Sequence, residues 1–417
     1  MTAHVTPEET KRWRRRHPIP SEAQMSTIVS LSNARPGADA VTGELSAAVA
    51  DSIKMAVAEI ERGRRLPAPL VDTLTRAGLF GLYTPVEHGG AELDPAAFCR
   101  IIEAAGRLDA STAWCLWNGN CGFAAPLLDP AAAEAVHGPG TPVGNSARVA
   151  GAAVPADGGF TLTGRWDLVS GSDHQPWLTL FAMVMEGDTP RMHGGNPDIR
   201  AMHVRRDHVT IEDNWHVLGL RGTSSNTVLV DRAFVPDELA PSPFAPSRID
   251  RTLYRIPVFA VAACGGAAVC LGIAQGAIDD LLEIARTKTS IRGPEPLAAL
   301  PTTHTTVAEA DVRLRAARHE LHRALDVLTD TAAAQCPAQM TDRARLRAAM
   351  TLAARTAREV TLQMFELGSS SAIFDSCPLS RRARDVLVAA QHVMLQPIWS
   401  EQAGRVQFGL EPTLPII

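Results

Sequence analysis

The sequence predicts an α+β fold built from three successive units: an N-terminal helical domain, a middle β domain and a C-terminal four-helix bundle. Three observations carry this. In the first part of the chain apolar residues recur at three- and four-residue spacing, as one buried face of a helix requires. Short runs rich in Val, Thr, Phe and Trp follow, broken by Gly, Asp, Asn and Pro. The remainder returns to long amphipathic or apolar stretches.

Each unit follows from its own pattern. Residues 1–42 include the basic run KRWRRRHPIP with no apolar segment behind it, so they read as a solvated arm rather than a secretory or twin-arginine signal. Residues 43–140 form the helical domain. ELSAAVADSIKMAVAEIER has helical periodicity, VDTLTRAGLFGL stops at Gly78, and DPAAFCRIIEAAGRLDASTAWCLW gives a helical pair capped by Asp94 and by Asp109 or Ser111. Residues 141–240 form the β domain. GGFTLTGRWDLVSG, WLTLFAMVM, IRAMHV, HVTIED and NTVLVDRAFVP read as strands of a small antiparallel barrel or sandwich. Residues 241–417 hold the bundle, with helices expected near 257–286, 306–331, 341–366 and 379–404.

Composition removes several classes. A chain of 417 residues, 46% hydrophobic and 20% charged, supports a sizeable core. Its formal net charge of -5 gives no electrostatic footprint for nucleic acid or an anionic membrane. Residues 256–277 lack charge and are long enough to span a bilayer, but they are rich in Ala and Gly and run into Asp279, Asp280 and Glu283. A central bundle helix is the expectation. The seven cysteines include no CxxC pair and no zinc spacing, so they read as reduced, mostly buried thiols of a cytoplasmic protein, with no metal site. No GxGxxG follows a strand, which excludes a Rossmann nicotinamide site.

Four stretches occur in an informative order: LFGLYTPVEHGGAELD, GRWDLVSGSDHQPW, WHVLGLRGTSSNTVLVDRAFVP and PLSRRARDVLVAAQHV. Together, from about Gly43 onward, they resemble the acyl-CoA dehydrogenase family. Its dehydrogenases place a glutamate base near the end of the Arg-Asp helix, or in some relatives at the start of the bundle. Here VLVAAQHVM follows Asp385, and no glutamate lies between Leu239 and Leu282. His392 stands where the acid is missing. The combination resembles the flavin-dependent two-component monooxygenase branch, as its oxygenase component.

That resemblance implies an enzyme that takes reduced FMN or FAD from a separate reductase. With O2 it would form a C4a-hydroperoxyflavin and pass one oxygen atom to a small organic substrate, aromatic, amine or similar. It also implies a homotetramer; charge and composition give no reason to expect nucleic acid or membrane as partner. Two alternatives stay open: a dehydrogenase-like flavoenzyme acting on a thioester, with a base such as Asp250, and a non-catalytic member of the fold.

Candidate residues follow the same motifs. On one continuous helix Arg381, Asp385 and His392 would share nearly one face. His392 would steady the peroxide or deprotonate the substrate, against the alternatives of a packed core histidine and a surface Arg381–Asp385 pair. The resemblance places Trp166, Ser170 and Gly171 against the isoalloxazine, where the Ser170 hydroxyl meets N5 or O4; an ordinary β-turn is the alternative. Asn145 and Ser146 resemble a further flavin-contacting stretch, and are also common turn chemistry. Arg286 resembles an arginine that reaches the flavin phosphate across a subunit interface, or is a solvated helix-end residue. Gly368, Ser369 and Ser370 resemble a flavin-touching turn, or a plain helix cap. Trp114 and Trp117 lie three apart on a helix, as core or as substrate contacts, and His174 faces the same pocket or solvent. Arg221, Gly222 and Thr223 read mainly as a structural loop.

Overall fold

Most helix starts in the first unit are set by side-chain caps. In the computed structural model, which describes residues 44–414 except 259–261 and 291–292, Ser46 caps α1 (Ala47–Gly63) by accepting from the Val49 N–H. The segment 1–42 lies outside the described residues. Helix α2 (Ala68–Arg76) is followed by Gly78 at φ 75°. Asp94 caps α3 (Pro95–Leu108), and Asp109 caps α4 (Ala110–Gly119) through the Thr112 N–H at 2.7 Å and its hydroxyl at 2.8 Å. Asp109 is therefore the cap, whereas Ser111 accepts from the Gly222 N–H at 3.1 Å. Helix α5 (Pro130–His137) leads into the sheet.

The strands are β1 (Val143–Ala156), β2 (Gly159–Val169), β3 (Trp177–Glu186), β4 (Thr189–Pro190), β5 (Met192–His193), β6 (Asn196–Pro197), β7 (Ile199–Arg205), β8 (Thr210–Glu212) and β9 (Asn226–Pro236). The main sheet runs β4-β3-β1-β2-β9-β8, with β7 also on β3. One pairing departs from the antiparallel expectation: β1 and β3 are parallel. Because β2 returns antiparallel to β1, it ends beside the start of β1, and the 170–176 loop then carries the chain across so that β3 runs alongside β1. The sheet packs as a sandwich layer, not a closed barrel. Trp166 fills its core, fully buried, with its indole N–H on the Phe181 carbonyl at 2.9 Å.

The bundle comprises α6 (Cys264–Ala285), α7 (Pro301–Ala333), α8 (Met340–Ala372), α9 (Pro378–Ala389) and α10 (Ile398–Gln407). Helix α6 presses against α3 so closely that a Cβ on Gly272 would lie 2.3 Å from the Glu103 carbonyl oxygen. Small residues in the uncharged 256–277 stretch thus serve helix packing. Among the described residues no helix is long and apolar enough to cross a membrane.

The expected fourth helix, 379–404, is in fact two. Helix α9 stops at Ala389, and His392 takes φ -59° and ψ 132° as cap of a single 3-10 turn, Val393–Leu395. Pro397 accounts for the end of the 3-10 turn, because its ring disfavours helical geometry in the preceding residue; Gln396 is extended, at φ -71° and ψ 154°. His392 therefore leaves the helix that holds Arg381 and Asp385, and the shared-face argument for these three fails. A surface Arg381–Asp385 pair is not formed either. Asp385 is buried and accepts the Leu220 N–H at 2.7 Å. The buried arginine of this helix is Arg382, which bonds Asp280 at 3.0 Å and the Gly106 carbonyl at 3.1 Å.

Candidate active site

At one end of the sheet β1 begins, β2 ends and β9 begins, and the register pairs Val169 with Asn226. Ser170 and Ser225, the next residues outward on each strand, meet hydroxyl to hydroxyl at 2.8 Å. Helix α4 covers this edge, and Trp114 on it donates its indole N–H to Ser170 Oγ at 3.0 Å. Ser225 Oγ bonds Thr223 Oγ1 at 2.7 Å, and Thr223 Oγ1 donates to the Leu220 carbonyl at 2.9 Å. Every hydroxyl in this line is buried.

The turn after α9 closes the other side. The His392 ring stands edge-on to Trp114 at 5.6 Å and to Trp117 at 5.0 Å, and the two indoles are edge-on to each other at 4.8 Å. Trp117 is fixed by its N–H to the Ala262 carbonyl at 2.8 Å. Burial pushes His392 down to about 4, so the ring is neutral near pH 7. Its Nδ1 accepts from the Met394 N–H at 3.4 Å, which leaves the single ring proton on Nε2.

The 170–176 loop contributes buried polar groups with nothing to bond. Both ring nitrogens of His174 and both amide atoms of Gln175 are sealed from solvent without a hydrogen-bond partner among the described residues. Burial first, and Arg206 second, push His174 down to about 4. Gly171 sits at φ 76°, where a Cβ would lie 2.3 Å from Gln175 Nε2, and its N–H donates to the Thr223 carbonyl at 2.8 Å. His174 thus faces inward and not solvent, half-buried, with Phe80 6.4 Å from its ring.

Other expected residues are placed differently. Asn145 is committed locally, donating to the Asn118 carbonyl at 2.9 Å and to Cys121 Sγ at 3.2 Å. Ser146 is buried at the start of β1, with a long bond of 3.4 Å to the Asp167 carbonyl. Trp166 leaves no free edge, being enclosed in the sheet core. Arg221 is exposed and paired with Glu61. Asp250 is exposed and bonded to Arg255 at 2.6 Å. Beside it a cavity of about 390 Å³ is lined by mutually paired charges, including Glu92 and Arg251.

Arg286, Gly368, Ser369 and Ser370 form a separate corner. Arg286 is exposed and paired with Glu283, and Lys288 donates to Ser371 at 2.7 Å and to Ser370 at 3.4 Å. Ser369 interrupts α8 at φ 50° and ψ -141°. Gly265, at the start of α6, packs on Trp117, whereas Arg286 follows its last turn. At helical rise the two are about 30 Å apart, so within one chain Arg286 does not reach the Trp117 cluster.

Thr223 and Ser225 complete the hydroxyl line; of the two, the sequence motif marks only Thr223, as part of a structural loop. A run of small hydroxyls, TSSN, at a strand entry was the available signal. Among the described residues no group of three or more His, Cys, Asp or Glu is placed to hold a metal ion.

Two family models match the chain: the acyl-CoA dehydrogenase N-terminal domain over residues 38–136 and its C-terminal domain over residues 264–397. The chain belongs to the acyl-CoA dehydrogenase superfamily. The relatives it matches along most of their length are named monooxygenases and hydroxylases. It is 29% identical over 384 residues to an indole-3-acetate monooxygenase of Pseudomonas putida, covering 91% of this chain and 97% of the relative. It is also 29% identical to the flavin-dependent monooxygenase oxygenase subunit HsaA of Rhodococcus jostii (strain RHA1), covering 85% and 95%. Among solved structures, XiaF from Streptomyces sp., in complex with FADH2 and glycerol, superposes with a TM-score of 0.83 at 27% identity, covering 94% of this chain and 99% of that one. XiaF and this chain thus share an architecture along nearly their full lengths.

Proposed function

We propose that this chain is the oxygenase component of a two-component flavin-dependent monooxygenase acting on a small planar aromatic substrate. The observation that carries this reading is the His392–Trp114–Trp117 cluster bonded through Trp114 to Ser170. Segments far apart in the chain converge there on a dry, aromatic-walled edge with a neutral imidazole. No carboxylate contacts that cluster among the described hydrogen bonds and ring contacts. The base Asp250 of the dehydrogenase alternative is exposed and tied to Arg255.

The residues present fit a flavin. Gly171 lacks the Cβ that would crowd the loop, Ser170 keeps a lone pair, and His174 and Gln175 hold buried polar atoms without partners. Bound reduced flavin supplies the electrons that activate dioxygen for transfer of one oxygen atom. Ser170 and Gly171 orient the ring, with Ser146 beside them. Trp114 and Trp117 exclude water and flank a planar substrate, while His174 adds a polar contact. His392 offers Nε2–H as a donor to the reacting oxygen; its other nitrogen is already occupied by Met394, which favours this role over that of substrate base.

A separate reductase supplies the reduced FMN or FAD. The assembly is a homotetramer, in which Arg286 and the Gly368–Ser370 turn serve a flavin of another copy; the distance of about 30 Å along α6 is the support for that arrangement.

The test mixes the protein and reduced FMN or FADH2 anaerobically with 18O-labelled dioxygen, in the presence of indole-3-acetate or a simple phenol. Slowed flavin reoxidation and one labelled oxygen in the product are expected. Reoxidation at the free-flavin rate, with no label incorporated under any of these conditions, overturns the reading.

A further inference from the structure

The hydrogen bonds through Ser170 run in one direction only. Trp114 has a donor and no acceptor, and each hydroxyl has a single proton. At the far end the Leu220 carbonyl accepts, and Thr223 Oγ1 gives its proton there at 2.9 Å. Thr223 therefore accepts from Ser225 at 2.7 Å, and Ser225 accepts from Ser170 at 2.8 Å. Ser170 has then spent its proton and already accepts from Trp114. What remains on Ser170 Oγ is one lone pair.

We propose that Thr223 and Ser225 are positioning residues that hold Ser170 as a hydrogen-bond acceptor toward the bound coenzyme, so that the site discriminates by redox state. This rests on the reading that the flavin ring lies against Ser170, with N5 rather than O4 toward its hydroxyl. Reduced flavin carries a proton on N5 and meets the lone pair as a donor. Oxidised flavin presents a bare N5, and two acceptors face each other. For Ser170 to donate instead, the whole line must reverse and Thr223 must give up its bond to Leu220. The cost is about one buried hydrogen bond, or about fivefold in relative affinity.

The local chemistry supports a device of this kind. Thr223 is fully buried and Ser225 nearly so, so water does not compete for their protons. The Thr223 carbonyl also accepts the Gly171 N–H at 2.8 Å, which ties the hydroxyl line and the flavin-facing loop to one residue. The Leu220 carbonyl additionally accepts from Trp215 Nε1 at 3.0 Å and from the Thr223 N–H at 3.2 Å. Removing the Thr223 hydroxyl therefore leaves no orphaned acceptor, and Thr223→Val is a clean probe.

The experiment measures dissociation constants for oxidised and for reduced FAD, the latter anaerobically, in wild type, Thr223→Val, Thr223→Ser and Ser225→Ala. Thr223→Val and Ser225→Ala each free a proton for Ser170 to donate. Both are expected to lower the oxidised-to-reduced ratio of dissociation constants about fivefold, chiefly by tightening oxidised flavin. The midpoint potential of bound flavin then moves by about 20 mV. Thr223→Ser restores the wild-type ratio. A ratio unchanged in both variants, or uniform weakening of both redox forms, overturns the proposal while leaving the pocket assignment intact. Absence of binding by the wild type in either redox state removes the pocket assignment and the proposal with it.

Discussion

Asp385 Oδ1 accepts the backbone N–H of Leu220 at 2.7 Å, joining the last long bundle segment to the loop that carries Thr223 and Ser225. Leu220 and Ser224 both hold positive φ, at 52° and 39°, in a region that disfavours side chains by about 1 kcal/mol each or more. Such a loop persists only where its surroundings fix it. Asp385 fixes one end, and the Ser172 hydroxyl, donating to the Ser224 carbonyl at 2.8 Å, fixes the other.

Burial raises Asp385 to about 7, ahead of the opposing Leu220 bond and the repulsion from Asp109. The folded protein therefore holds this proton more tightly than the unfolded chain. Stability from this group falls as pH rises from about 4 to about 7 and is level above that. Asp385→Asn keeps the acceptor and removes the charge. Its melting temperature, relative to wild type, is expected to be higher at about pH 8 than at about pH 5. A gap independent of pH would show that the carboxylate ionises freely.

His392→Ala is expected to cut oxygen transfer about a hundredfold, while flavin oxidation continues and yields hydrogen peroxide. Product formed per flavin oxidised is the measurement. Since the ring stays neutral down to about 4, this yield should show no histidine titration between about pH 6 and pH 8. The same depressed value makes the folded state bind fewer protons than the unfolded chain, so stability from this group is lost as pH falls from about 6.5 toward 4.

His174→Phe removes two buried nitrogens that lack partners. The flavin-free protein should melt about 2 °C higher, because an unsatisfied buried polar group costs about 1–3 kcal/mol. Ligand affinity should fall in the same variant. A rise in melting temperature with unchanged affinity for flavin and for substrate would remove His174 from the site.

Gly171→Ala places a Cβ 2.3 Å from Gln175 Nε2 at a backbone φ of 76°. A loss of about 1–3 kcal/mol in denaturant unfolding is expected, together with weakened flavin binding. Gly409, also at positive φ but with open space around it, supplies the control: there the alanine variant pays only the backbone strain and leaves flavin affinity alone.

Several features were legible because their physics is local. Asp94 and Asp109 act as caps through backbone N–H groups within three residues, so the sequence alone reveals them. The strand runs announced themselves by composition, and the missing acid after Asp385 pointed to His392. Pro397 was equally local and marks the end of the 3-10 turn within the expected last helix, although the apolar periodicity on either side conceals it. Trp166 is the opposite case. Its motif suggested a cofactor contact, yet its side chain is spent on sheet packing.

By itself the sequence determined the order of helical and strand units, the local caps and the absence of a carboxylate where dehydrogenases need one. Tertiary structure alone decided the parallel β1–β3 pairing, the meeting of Ser170 with Ser225, and the enclosure of His392 by Trp114 and Trp117. The physical reason is range. Capping and periodicity act over a few residues, whereas the direction of a hydroxyl line and the dryness of an imidazole depend on groups that only the packed fold brings within bonding distance.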